Sequence, residues 1–146
     1  MIHEARIHRM ADGQVRRGQY VLYWMQQAQR AEFNHALEYA IEQANALRLP
    51  VVVAFALTGF PEANRRHYQF MLEGLRETEQ RLAKRGIGFC IRAGPPEQVI
   101  PGLAKNAALL VGDAGYLRVQ RDWRTAVAAR VSCPVVLVES DAIIPV

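Results

Sequence analysis

Short apolar runs separated by stretches of helical periodicity constrain this chain more than any other feature. The runs occupy residues 19–25, 51–57, 87–92, 108–113 and 135–139. The first, QYVLYWM, opens after Gly18 and is rich in β-branched and aromatic side chains, as a strand requires. The second, VVVAFAL, is continuously apolar, the pattern of a strand covered on both faces. Between these two runs Asn34 is placed to cap a helix whose Leu37, Ala40, Ile41, Ala44 and Leu47 share one face, and Pro50 stops it.

The pattern then repeats. After Thr58, Gly59 and Pro61 a second helix is predicted to begin near Asn64, with Tyr68, Met71, Leu72, Leu75 and Leu82 as its apolar stripe. Lys84 and Arg85 suit its negative end, and Gly86 stops it. Residues 97–106 read as a poorer helix with a break at or near Pro101, and 117–131 as a helix carrying Trp123 and Val127 inward. Five strands alternating with four helices predict an α/β fold: a Rossmann-like five-stranded parallel sheet with helices on both faces. Numbered along the chain, the predicted strand order is 3-2-1-4-5, with right-handed crossovers. A small ligand is then expected in the crevice beyond the carboxyl ends of strands 1 and 4. Trp24, Met25 and Gln26 stand on one side of that crevice, and Gly112, Asp113 and Ala114 on the other.

Composition narrows the class. With 51% hydrophobic and 22% charged residues in 146, the chain has enough apolar material for one core and is not a disordered polymer. No apolar run approaches the roughly 20 residues of a membrane helix, and residues 1–9 have no signal-peptide pattern. Cys90 and Cys133 are too few for a disulfide framework or a four-cysteine zinc site, and fit a reducing cytoplasm as inert thiols. The net charge of +4 comes almost wholly from arginine, since Lys84 and Lys105 are the only lysines. Its scatter along the chain suits a solvated surface better than a nucleic-acid face, which clusters its charge.

Several chemistries are missing. The turn after the first strand, MQQAQRAE, holds no glycine to let backbone N–H groups approach a pyrophosphate, and no phosphate-binding GxxxxGK[ST] occurs. His3, His8, His35 and His67 lack metal-ligand spacing to any cysteine or carboxylate. No nucleophile, base and orienting group can be assembled, so the residues read as a binding or scaffolding domain. Asp113 ends a hydrophobic strand beside the crevice and has two readings: a contact to a ligand's hydroxyl or ring nitrogen, or a turn residue within 112–115. Arg30, in the loop after the first strand, has a similar pair: an anion contact, or surface pairing with Glu32.

Specific words in the chain go further. Residues 19–40, QYVLYWMQQAQRAEFNHALEYA, resemble the opening of class II cyclobutane pyrimidine dimer photolyases. In that family a YVLYWM strand precedes a turn and helix start matched here by Gln29, Arg30, Ala31, Asn34, Ala36 and Leu37. Residues 49–58 are similar to the family's next strand, 65–87 to its next long helix, and 138–146 (VESDAIIPV) to the start of its interdomain linker. One departure is visible: Phe33 stands where the family often has an acid before the capping asparagine.

The resemblance implies an N-terminal extension over 1–18, an antenna-chromophore domain over 19–140 and a linker start over 141–146. FAD, the dimer lesion, damaged DNA and all catalytic residues of this deoxyribodipyrimidine photo-lyase activity would belong to a helical domain that follows, so the chain alone is expected to be inactive. Its expected partners are that helical domain and further copies of itself, through an exposed interdomain face, with no membrane. The antenna would be a deazaflavin or a folate, held by Trp24, Met25, Arg30, Phe55 and Asp113 in an aromatic crevice with one acid and one base. Two other classes remain: a free-standing nucleotide-binding module of the stress-protein or electron-transfer-flavoprotein type, whose phosphate loop would be the short Gly112–Gly115 segment, and a pure interaction domain that docks a helical partner.

Overall fold

A computed structural model of the chain describes residues 1–11, 15–60 and 62–144. Pro61 of the predicted turn, residues 12–14 of the predicted extension and the last two residues of the predicted linker lie outside these. Six strands form one sheet: β1 (Ile7–Ala11), β2 (Tyr20–Trp24), β3 (Val51–Leu57), β4 (Gly88–Ala93), β5 (Ala107–Asp113) and β6 (Val135–Val138). Four helices connect them: α1 (His35–Leu47), α2 (Arg65–Lys84), α3 (Pro96–Ala104) and α4 (Arg118–Ala128). The sheet order is β1-β6-β5-β2-β3-β4, so the five predicted strands are β2 to β6 in the predicted order, all parallel.

Alternation along the strands makes two cores. Val21, Tyr23, Val53, Phe55, Leu109 and Val111 face α1 and α2, while Leu22, Trp24, Ala54, Ala56 and Leu110 face α3 and α4. Because both faces are covered, β2 and β5 read as unbroken apolar runs. The caps follow the predicted residues. Asn34 Oδ1 accepts from Leu37 N at 3.0 Å. Asn64 Oδ1 accepts from Arg66 N and His67 N, and His67 Nδ1 accepts in return from Asn64 N. Gly86 leaves α2 at a φ of +71°, a conformation glycine adopts without strain.

Four expectations need correction. The sheet has six strands rather than five, because residues read as an extension supply β1, antiparallel to β6 with Ile7 opposite Val138. Only Ile7 and Ala11 of β1 are even half-buried, so this edge strand carries no apolar alternation to reveal it. A 3₁₀ turn (Glu4–Arg6) precedes it, and Arg6 donates to Glu139 Oε2 and to the carbonyls of Ala142 and Ile143, each at 2.8 Å. Second, α3 does not break at Pro101. Proline has no N–H for the carbonyl of Glu97, and Arg130 Nη1 supplies that donor at 2.7 Å. Third, Leu72 faces solvent; α2 buries Leu75, Thr78 and Leu82 instead. Fourth, Glu32 pairs with Arg81 at 2.8 Å rather than with Arg30.

Candidate functional site

The carboxyl ends of β5, β2 and β3 lie side by side, and the loop after β2 divides them into two unlike regions. On the β5 side the loop is tied down by one carboxylate. Asp113 Oδ2 accepts from the backbone N–H groups of Gln26, Gln27 and Ala28 at 2.9, 2.8 and 3.0 Å. Its Oδ1 accepts from the Tyr23 hydroxyl at 2.8 Å. Three converging backbone N–H groups form an anion-binding concavity, and here an internal carboxylate fills it.

The far end of the loop is held by Asn34, which is fully buried. Its Nδ2 donates to the Tyr23 hydroxyl and to the carbonyls of Ala28 and Arg30 at 2.9–3.0 Å. Tyr23 thus links the two anchors. Burial, and next the Asp113 carboxylate, push its phenol well above the ordinary tyrosine range, so it stays protonated and donates. Gln27 also contacts Asp141 in the segment after β6. The Asp141 carboxyl is pushed up by desolvation first, and then by Glu139 and Asp113.

On the β3 side there is a cavity of about 500 Å³. Trp24 and Met25 enter it from the end of β2, and Phe55 and Ala56 from β3. Tyr68 and Met71 of α2 and Trp123 of α4 close its sides. It draws on both cores because it lies past the end of the sheet, where the two layers meet. The walls are mostly aromatic and aliphatic, with polar groups from Gln26, Gln29, Thr58, His67 and Gln120 and one carboxylate, Glu62. This size and character suit a flat organic ligand.

The structure brings Trp24, Met25 and Phe55 together in that wall and leaves Asp113 and Arg30 outside it. Asp113 is 2% exposed and both its oxygens are engaged, by the Tyr23 hydroxyl and the 26–28 backbone rather than by the 112–115 turn, so its carboxylate holds a different loop from the one read in the sequence. Arg30 is exposed and its Nε donates to Phe33 O at 3.1 Å. The crevice is also displaced by one strand: it opens at β2 and β3, because the Asp113-bound loop covers the end of β5. Tyr68, Met71 and Trp123 were readable from the sequence as core positions, yet their part in a cavity depends on how α2 and α4 overhang the sheet. Among the described residues no His, Cys, Asp and Glu cluster could hold a metal, and no helix is long and apolar enough to cross a membrane. Burial pushes both thiols, Cys90 and Cys133, above the usual range.

Comparison with known proteins identifies the family and the fold. The family model described as DNA photolyase matches residues 21–146. A deoxyribodipyrimidine photo-lyase of Methanothermobacter thermautotrophicus is 45% identical over 148 residues, covering 100% of this chain and 33% of the relative. That of Arabidopsis thaliana is 35% identical, covering 84% of this chain and 25% of the relative. The chain therefore spans a quarter to a third of these relatives. Among solved structures, a universal stress protein from Archaeoglobus fulgidus superposes with a TM-score of 0.55 at 18% identity, covering 82% of this chain and 98% of that one. A universal stress protein in complex with cAMP gives 0.57 at 21% identity, covering 85% and 99%. These two likenesses concern the fold alone.

Proposed function

The chain belongs to the DNA photolyase family, and on that premise we propose that it is the family's N-terminal antenna domain, holding a flat conjugated chromophore in the cavity at the ends of β2 and β3. The observation that carries the reading is the cavity itself: about 500 Å³, walled by Trp24, Phe55, Tyr68, Met71 and Trp123. Such walls stack on an extended ring and keep water from it, and the volume lies in the range of small-molecule sites. A deazaflavin or a reduced folate has the size and polarity to fit. When bound, either pigment supplies absorption of near-ultraviolet and blue light.

In this reading the chain's own residues do three things. Trp24, Phe55 and Trp123 hold the ring plane. Asp113, Tyr23 and Asn34 fix the loop that forms the cavity floor, although none of the three lines it. The exposed apolar side chains Phe70, Ile143 and Ile144 offer surface to a helical FAD-binding domain, through which the photo-lyase activity, the pyrimidine-dimer substrate and damaged DNA are reached. Electron transfer belongs to that domain, so the 146 residues alone repair no dimers. Self-association through these exposed apolar side chains is the remaining partner proposal.

The fold-level likeness to stress proteins raises a nucleotide as an alternative occupant. The buried Asp113 carboxylate argues against it, because a phosphate held by the 112–115 segment would lie against that anion, and the nearby 26–28 N–H groups are already occupied by it. The deciding experiment is fluorescence titration of the purified chain with 5-deazariboflavin, with a reduced folate and with AMP. Saturable binding of a pigment and none of AMP is the expected result. Binding of AMP alone would replace this proposal with the nucleotide reading.

A further inference from the structure

Gln26 lines the cavity, and its carboxamide, enclosed by protein, has no partner. The carboxamide Nε2 and Oε1 of Gln26 are both shut off from solvent, and neither makes a hydrogen bond within the protein. Four neighbouring side chains of the wall each make a hydrogen bond. Gln29 Nε2 donates to the Gln26 carbonyl at 3.1 Å, Gln120 Oε1 accepts from Leu117 N, His67 Nδ1 accepts from Asn64 N, and the Tyr68 hydroxyl accepts from Phe60 N. Leaving a buried donor and a buried acceptor unmade is costly, and proteins rarely keep such a group unless something satisfies it.

The backbone of Gln26 is fixed at both polar atoms: its N–H is held by Asp113 and its carbonyl by Gln29. Its side chain therefore starts from a fixed base, and a change of rotamer would turn the amide from its enclosed position toward the cavity that the residue lines. An amide presents one donor beside one acceptor in a plane. The matching edge on a flat ring is an N–H next to a C=O, a lactam.

We propose that Gln26 selects the ligand by pairing with a lactam edge, the ring N–H donating to Oε1 and the ring C=O accepting from Nε2. The inference rests on the chromophore reading above and sharpens it: among conjugated rings that fit the apolar walls, those with an N–H/C=O edge are retained and those without it are rejected. Both the pyrimidinedione of a deazaflavin and the pterin of a folate carry this edge, so Gln26 reads a chemistry the two share.

The test uses the 146-residue chain and four probes: 5-deazariboflavin, folinic acid, and the derivative of each methylated at the lactam nitrogen. A site built around a hydrogen bond rejects a ligand that lacks it, so wild-type protein should prefer each parent ring over its methylated form by roughly tenfold or more. The parent that binds tighter identifies the source of the lactam. In Gln26→Leu, close in volume but without the amide, that preference should fall below about threefold, with affinity for the methylated ring held or improved. Gln26→Glu, which keeps an acceptor and loses the donor, should fall between the two and serves if the leucine variant does not fold. Equal binding of parent and methylated rings by wild-type protein, or an unchanged preference in both variants, overturns the proposal while leaving the cavity as the chromophore site. Failure of every ring to bind folded wild-type protein overturns the chromophore reading, and this inference with it.

Discussion

The two sides of β2 show how one sheet end can be closed and the next left open. Toward β5, every polar group of the loop at 26–28 that faces the sheet is matched: three N–H groups and the Tyr23 hydroxyl converge on Asp113. Toward β3, a single strand away, the walls are aromatic and aliphatic and the Gln26 amide is unmatched. On the β5 side the loop N–H groups are already occupied by the protein's own carboxylate, and the orphaned atom beside it is Arg124 Nε, whose guanidinium also donates to the Gly115 carbonyl. The β3 side has volume, stacking surface and one pair of orphaned polar atoms. In a parallel α/β sheet the expected ligand position is the switch point between β2 and β5. An internal carboxylate there moves the open position one strand over.

The largest effect should come from removing that carboxylate. Asp113→Ala strips the acceptor from three backbone N–H groups and a buried phenol, and should cost about 3–4 kcal/mol in urea unfolding. Asp113→Asn should cost less, because the amide oxygen still accepts. If Asp113→Ala unfolds within about 0.5 kcal/mol of wild type, the closed side is not held by this residue.

An intermediate effect belongs to the open side. Trp123 is half-buried at the cavity wall. Trp123→Ala should lower chromophore affinity roughly tenfold through lost stacking while costing only about 1–2 kcal/mol of stability. The reverse ranking, with large destabilisation and unaltered binding, would make the cavity ordinary core packing.

The smallest effect sharpens the closed side. Phe33, in the same loop, has a φ of +52° and is 90% exposed. A phenylalanine gains nothing from packing there and is strained in the left-handed region, which asparagine and aspartate tolerate better. Phe33→Asn should therefore stabilise by about 0.5–1 kcal/mol, seen as a rise in Tm. An unchanged or lowered Tm would mean that the loop conformation is set without regard to this residue.

Much of this architecture is written in the sequence because burial on two faces forces unbroken apolar runs. The strands were legible for that reason, and the capping asparagines and the stop at Gly86 because side-chain acceptors and a positive φ mark helix ends. Strand β1 was not, since an edge strand with one covered face and polar neighbours leaves no period to detect. Nor was the unbroken α3, whose continuity through Pro101 depends on Arg130, 29 positions further along. Of the predicted site, Trp24, Met25 and Phe55 were legible because strand ends point at the crevice. Asp113 could be located from the pattern, but its use could not, because that is set by which way the 26–28 backbone turns its N–H groups. The unmatched Gln26 amide is likewise a property of three-dimensional neighbours, absent from any local motif.

The account turns on which side of β2 takes the ligand, and both tryptophans of the chain, Trp24 and Trp123, lie on the β3 side. The most direct measurement is a ¹⁵N-resolved NMR titration of the chain with 5-deazariboflavin. The predicted result is saturable movement of the two indole N–H resonances and of the Phe55 and Ala56 amides, with the amides of Asp113 to Gly115 left in place. Movement concentrated at Asp113 to Gly115 with both indoles unmoved would put the ligand at the switch point and contradict the account.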